Sequence, residues 1–341
     1  MTPLILSEPE QIEAFSNPGD HEKSRPKEDH IIVDGHVDLP YFMMCQKEDQ
    51  PLSSLEDGPF TLGKMKEAGV RLFAGAIYCQ DKFNGEGSLR HLKEILGFTL
   101  DHFDEILVIK NSPDLERIKT EPDGLGTLLL LENADALAGN HLFVDELMEA
   151  GLRVVGLTHM GPNRLGDGNA VRYSDGLTDE GREVVRVLTE QGLLIDVAHL
   201  HPGCFWQLLD LCEGPIISSH TGIRNLCDIQ RNIDLEQAGE IFARDGMIGI
   251  TFNPEMLTPE GRARAEDIFV HLDVLVQKFG PDHVGIGSDF CGFEGAAEEM
   301  EDITKVPNLT RLMLAHGYGE GAVGKIMGLN WLRLYESILS G

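Results

Sequence analysis

From residue 30 onward the chain alternates short apolar runs with stretches of helical period. Eight runs stand out: "HIIVDGH", "VRLFAGAIYC", "GTLLLLENAD", "LRVVGLTHM", "GLLIDVAHL", "GPIISSHT", "GMIGITFN" and "HVGIGSDF". Most are almost unbroken in their apolar character, which suits strands covered on both faces in a parallel sheet. Between them lie helical patterns such as "HLFVDELMEAG", "TDEGREVVRVLTEQG", "LEQAGEIFARDG" and "AEDIFVHLDVLVQKFG", several ending in the glycine that favours a helix C-terminus. Thr178 is placed to cap the second of these, with acids in the first turn to suit the helix dipole. Eight strands alternating with helices predict an α/β fold, a single-domain (β/α)8 TIM-type barrel.

An open doubly wound sheet is the alternative, but no glycine-rich phosphate fingerprint follows the first strand. "GYGEGA", near residue 317, follows a helical pattern and carries no nucleotide-binding weight. The helical tail from Asn308 to Ser340 is expected to pack outside the barrel or across one end. Residues 1–29 read differently: "SEPEQIEAFS" suits a short helix capped by Ser7, with Glu10 three residues on, and a turn-rich charged segment follows. The expected division is a surface arm over 1–29 and the barrel with its tail over 30–341.

Composition narrows the partners. Lys and Arg total 28 against 57 Asp and Glu, a net charge of −29 over 341 residues. That balance opposes nucleic acid and anionic membrane surfaces, which need clustered positive charge. No basic segment and apolar core of a secretory signal opens the chain, and no apolar run nears the ~20 residues of a spanning helix. The C-terminal "LNWLRLYESILSG" is amphipathic rather than a lipid-anchor tail. Six scattered cysteines without a C-x-x-C pair read as reduced thiols, and together these features predict a cytoplasmic protein. A homodimer is compatible with all of this.

Active sites of such barrels lie at the C-terminal strand ends. Read off in order, those ends carry His36 and Asp38, then Tyr78 and Cys79, Glu132, His159, His199, His220, Asn253 and Asp289. His36 and Asp38, two residues apart, are expected on one side of the first strand, with Pro40 as its stop. Each histidine taken singly is better explained as a hydrogen-bonded residue at a strand exit. Four histidines and three carboxylates at one level are not, because such a cluster without a cation is a costly set of desolvated polar groups. Imidazole and carboxylate suit Zn²⁺ and its first-row neighbours, and these donors exceed what one tetrahedral zinc needs. They fit two metals, with one carboxylate bridging. Arg231 could fork onto a substrate carboxylate or pair with Asp228 or Asp234, and Arg224 carries the same two readings. "GFEGAAEEMED" reads as a solvated acidic loop.

The segments "VDGHVDLP", "LLLENADAL", "GLRVVGLTHMGPNRLGDG", "LLIDVAHL", "PIISSHTGIRNLC", "QRNI", "DHVGIGSDF" and "KIMGLNWLRL", in this order, resemble the membrane (renal) dipeptidase family of zinc metallopeptidases over about residues 31–335. The resemblance implies that His36 and Asp38 hold one zinc ion, that Glu132 bridges to a second, and that His199 and His220 complete the second. It implies that His159 contacts the reacting carbonyl, that Arg231 takes the substrate's terminal carboxylate, and that Asp289 handles protons beside a bridging hydroxide. The substrate would be a small dipeptide, with a D-residue allowed at its C-terminal position. N-acyl amino acids or lactam-like amides are the alternative substrates, and a non-catalytic ligand-binding barrel is the reading from another class. The family's usual second Asp after the eighth strand is Cys291 here, and "ENADAL" and "NRLGDG" also depart from its common pattern, in loops that would shape the pocket.

Overall fold

The computed structural model describes residues 31–46 and 49–340. The expected surface arm over 1–29, with its helix at Ser7, lies outside the described residues. Nine parallel strands are present among the described residues: β1 (Ile32–Val37), β2 (Val70–Tyr78), β3 (Leu107–Val108), β4 (Gly126–Glu132), β5 (Leu152–Gly156), β6 (Leu194–Asp196), β7 (Ile216–Thr221), β8 (Met247–Ile250) and β9 (Val284–Ile286). Eight of them close a barrel. Neighbours run β1, β2, β4, β5, β6, β7, β8, β9 and back to β1, the ring being sealed by β2 on β4 and by Asp34 of β1 on Ile286 of β9. The eight apolar runs thus each supply one stave. The two-residue β3 pairs only with the start of β4, at Gly126 and Thr127, before β5 begins there.

Helices form where the pattern placed them. Thr178 accepts a hydrogen bond from the Gly181 N–H and caps Asp179–Glu190, and Gly151 ends Phe143–Ala150 with φ 116°. Asp234 and Gln237 cap Leu235–Ala243 reciprocally. No helix among the described residues is long and apolar enough to cross a membrane, and all six cysteines are unpaired.

The tail does both things expected of it. Pro307–Ala315 packs against the outer helix Ala265–Phe279, whereas Asn330–Leu339 lies across the end of the barrel where the strands begin. Trp331 and Tyr335 from that helix join Val33, Leu72, Leu128, Leu130, Val154, Leu194, Ile217 and Met247 in one buried apolar cluster, the floor of the barrel. Space for the indole is made by glycine: a Cβ at Gly35 or Gly285 would come within 2.4 or 2.5 Å of the Trp331 ring. Successive side chains of a strand alternate, so Leu128, Leu130 and Glu132 share one side of β4, and the apolar floor gives way to a carboxylate at the mouth.

The ladder is interrupted at two places near the mouth. Register slips between Asp34 and Val37 against β2, and between Ser218 and Thr221 against β8. Such slips re-aim side chains, and these two stretches contain His36 and His220.

Candidate metal centre

The strand β1 stops at Val37, and Asp38 stands at the N-cap position of the short helix Leu39–Met44 without a side-chain capping bond, with Pro40 in the first turn. His36 and Asp38 are therefore brought together by a strand-to-helix turn, not by the pleat of one extended strand. Pro40 starts a helix, which its fixed φ and missing N–H favour, rather than merely stopping a strand. Even so, His36 Nε2 lies 3.4 Å from Asp38 Oδ2. Glu132 is the last residue of β4, and His220 lies within β7. His159, His199 and Asp289 sit three residues past the ends of β5, β6 and β9, on the connecting turns. Both His199 and Asp289 are held at left-handed φ, 64° and 65°, as are Asn133 next to Glu132 (68°) and Cys291 (73°).

The two carboxylate oxygens of Glu132 face different partners. Its Oε1 is 2.9 Å from His199 Nε2, and its Oε2 is 3.9 Å from His36 Nε2. His220 Nε2 stands 3.2 Å from His199 Nε2 and 4.0 Å from Asp289 Oδ1. The donor atoms fall into three overlapping sets, each within 4.8 Å: His36 with Asp38 and Glu132; Glu132 with His199 and His220; His36 with His220 and Asp289. The last set places Asp289 beside the two imidazoles as well as at the cavity wall. A Cβ at Gly292 would come within 2.2 Å of Asp38 Oδ2 and 2.6 Å of Asp289 Oδ1, so only glycine lets this loop close over both carboxylates.

Further hydrogen bonds hold the rings from behind. His199 Nδ1 is 3.1 Å from Asn169 Oδ1. His36 Nδ1 and His220 Nδ1 both approach one oxygen, Ser219 Oγ, at 3.1 and 2.9 Å, and that hydroxyl lies 2.5 Å from Asp196 Oδ2. His159 Nδ1 lies 3.3 Å from both Tyr78 Oη and Asp81 Oδ2, and Asp81 is itself anchored by the Gly161 N–H.

Charges in this buried space are strongly perturbed. Burial would lower His36, but the carboxylates of Asp38, Glu132 and Asp289 outweigh it and push the ring up to about 10. His199 and His220 go the other way, far below the ordinary histidine value, through burial and the nearby cations. Burial opposes ionisation of Glu132, yet its bond to His199 and the surrounding rings hold it far below the usual range. Burial and the Asp38 carboxylate push Asp289 well up. Burial also raises Asp34, to about 6, and Asp196.

The donor set fits a divalent metal. Three carboxylates and three imidazoles crowd one buried volume, while His36 Nε2 and Asp38 Oδ1 have no hydrogen-bond partner although they are sealed from solvent. Uncompensated buried groups of this kind cost about 1–3 kcal/mol each, and a cation coordinated by them removes the penalty.

Above the cluster opens a cavity of about 600 Å³, lined by Asp38, Glu132, His159, His199, Asp289 and Arg231, with Tyr41, Tyr78, Met160, Ile229 and Met256 on its apolar walls. Arg231 donates to the His220 carbonyl at 3.1 Å and forms no ion pair among the described residues. The ion-pair reading belongs instead to Arg224, which lies 3.6 Å from Asp228. In the acidic loop, Glu298 and Glu299 are exposed and face Arg264, while Ala297 and Met300 anchor it in the core.

A family model described as membrane dipeptidase, peptidase family M19, matches residues 22–339. The chain belongs to this family. It is a metallo-dipeptidase, a hydrolase acting on peptide bonds. Dipeptidase tcpJ of Claviceps purpurea (strain 20.1) is 31% identical over 192 residues, 55% of this chain and 45% of that protein. Two solved structures share the fold. The dipeptidase AC, a metallopeptidase of family M19, superposes with a TM-score of 0.84 at 24% identity, covering 92% of this chain and all of that one. The Rhodobacter sphaeroides metallopeptidase, solved with a phosphinate mimic of the dipeptide L-Ala-D-Ala, gives 0.81 at 24% identity, over 91% and 98%.

All eight residues singled out in the sequence meet at this one mouth of the dipeptidase barrel. Tyr78 was read only as a strand end, and four others that bear on the site were not singled out: Asp81, Asn169, Asp196 and Ser219. Two carried a signal, since paired serines in "IISSH" and an acid in "LLIDVAHL" interrupt otherwise apolar strands.

Proposed function

We propose that this metallo-dipeptidase cleaves small dipeptides, including those with a C-terminal D-residue, using two zinc ions held by the barrel mouth. His36, Asp38 and Glu132 would hold one ion, and Glu132, His199 and His220 the other, with Glu132 bridging. The observation that carries this reading is the split of the Glu132 oxygens between two sets of imidazole donors, beside an unpartnered His36 Nε2. When bound, such a pair of ions supplies a water acidified toward neutral pH and positive charge at the scissile carbonyl.

The remaining steps fall to the chain. Arg231 reaches the cavity beside His220 and pairs with the substrate's C-terminal carboxylate, which favours short substrates with a free end. His159, with Nδ1 turned to Asp81 and Tyr78, leaves its other nitrogen for the oxygen of the reacting carbonyl. Asp289 takes a proton from the attacking water and returns one to the leaving amine. The upward push on its carboxyl suits a group that must carry a proton part of the time. Tyr41, Tyr78, Met160, Ile229 and Met256 give side chains of the dipeptide an apolar wall.

The deciding experiment joins metal analysis to a substrate panel. Two zinc ions per chain, loss of activity on chelation, its return with zinc, and turnover of L,L- and L,D-dipeptides above N-acyl amino acids are expected. Full turnover of dipeptides by metal-free protein overturns the reading.

A further inference from the structure

Ser219 lies at the point where His36, His220 and Asp196 meet, and nothing in the proposed reaction uses it. A serine hydroxyl has one proton to give and two lone pairs with which to accept. Asp196 Oδ1 is already occupied as an acceptor, taking the N–H groups of Ala198 at 3.0 Å and of Ser219 at 2.9 Å. Its Oδ2 lies 2.5 Å from Ser219 Oγ, a separation typical of a hydroxyl donating to a carboxylate. The hydroxyl proton is therefore committed to Asp196. Only the two lone pairs remain for His36 Nδ1 and His220 Nδ1, and a lone pair can be met only by an N–H.

We propose that Ser219 and Asp196 are positioning residues that fix the protons of both inner imidazoles on Nδ1, leaving each Nε2 lone pair free for a metal. The inference rests on the two-metal reading above. Asn169 plays the same part for His199, one ring at a time, whereas Ser219 serves two rings with one atom.

The backbone shows how this atom is put in place. The register of β7 against β8 slips across Ser219, and its carbonyl leans toward β8 and β9. A Cβ at Gly249 or Gly287 would fall within 2.1 or 1.8 Å of that carbonyl oxygen. Side chains at either position would drive Ser219 away from the rings.

Asp196→Asn is the sharpest test, because it keeps shape and changes only proton direction. With Oδ1 pinned by two backbone N–H groups, the new amide NH₂ must face Ser219. It fills one lone pair of the hydroxyl and frees the hydroxyl proton, which turns to one of the two imidazoles. That ring must then carry its own proton on Nε2, where the metal should bind.

The measurements are made at pH 8 on full-length zinc-loaded protein labelled with ¹⁵N-histidine. The parent is expected to bind two zinc ions and to show exchange-protected Nδ1–H signals from His36 and His220. Asp196→Asn is expected to lose one of these signals, and its weaker zinc site to fall about 10–100-fold in competition with a chromophoric chelator. Loss of kcat with KM for dipeptide held within twofold should accompany it. Both signals retained, with zinc affinity within twofold of the parent, overturns the proposal. If Asp196→Asn does not fold, Ser219→Ala carries the test: both Nδ1–H groups lose their acceptor, and undiminished exchange protection overturns the proposal. A parent with fewer than two zinc ions overturns the two-metal reading instead, and loss of one Nδ1–H in Asp196→Asn still supports the proton assignment.

Discussion

At the floor of the barrel, Trp331 and Tyr335 stack with centroids 5.6 Å apart and the indole N–H reaches the Ile286 carbonyl at 2.9 Å, inside a cluster of strand leucines and valines. At the mouth, a few residues along the same strands, imidazoles and carboxylates crowd together without enough partners. The backbones differ as much as the side chains. Seven non-glycine residues among those described adopt left-handed φ, and Asn133, His199, Asp289 and Cys291 are at the mouth. The other three, Glu105, Asp245 and Glu299, are in exposed turns. Each left-handed residue costs about 1–2 kcal/mol, so the mouth is held in place by structure elsewhere. The comparison teaches that this barrel separates its tasks along its axis: burial at one end supports strain and unpaired charge at the other.

That division can be broken by experiment. Asp289→Asn should lower kcat on a dipeptide by about 10²–10⁴-fold while leaving the folded state as stable as before, since it removes repulsion beside Asp38. Steady-state kinetics paired with a urea melt checks it; a large loss of stability would show that the mouth also holds the fold together. Trp331→Ala should do the reverse, costing about 3–5 kcal/mol of stability while kcat and KM of the folded zinc-loaded protein stay within twofold. An activity loss matching the stability loss would mean that the two ends are not separable.

Arg231→Ala should raise KM for dipeptides by about 10–100-fold, the worth of a charged hydrogen bond, yet hardly alter turnover of the matching dipeptide amides. An equal effect on both would move Arg231 from substrate recognition to support of His220. The smallest effect concerns His271, remote from both ends. Its Nδ1 accepts the Ile223 N–H at 2.8 Å, its Nε2 donates to the Leu257 carbonyl at 2.9 Å, and burial lowers its pKa. The folded state therefore holds the neutral ring. Its stabilising contribution is full above the unfolded value near 6.5 and is lost as pH falls below it, because the unfolded chain then binds the extra proton. The destabilisation caused by His271→Gln in urea melts should be smaller at pH 5.5 than at pH 8.

The barrel was legible because strands buried on both faces leave unbroken apolar runs, and eight such runs became eight staves. The two-residue β3 escaped because Leu107 and Val108 are too short a run to carry a period. At the mouth, residues in the last positions of strands could be read directly, as Glu132 at the end of β4 and His220 next to the end of β7 show. The turn at Asp38 could not, since two residues spaced along a strand look the same in sequence as a strand followed by a helix cap. Arg231 and Arg224 could not be told apart either, because the difference is whether a carboxylate stands beside the guanidinium in space. Ser219 and Asp196 are the deepest case. Their importance is a matter of three strands meeting, and only their polarity inside apolar runs hinted at it.

The floor also sets an order of events in time. Ile286, which seals the ring against β1, and Trp331, which fills the space above Gly35, both come late in the chain. A ribosome that has made everything up to β8 holds staves with two open edges and an unfilled base. Such a nascent chain is exposed to sticking and misassembly until β9 and the Trp331 helix emerge, so chaperone demand during synthesis should be set more by the Trp331 helix than by the residues that do the chemistry.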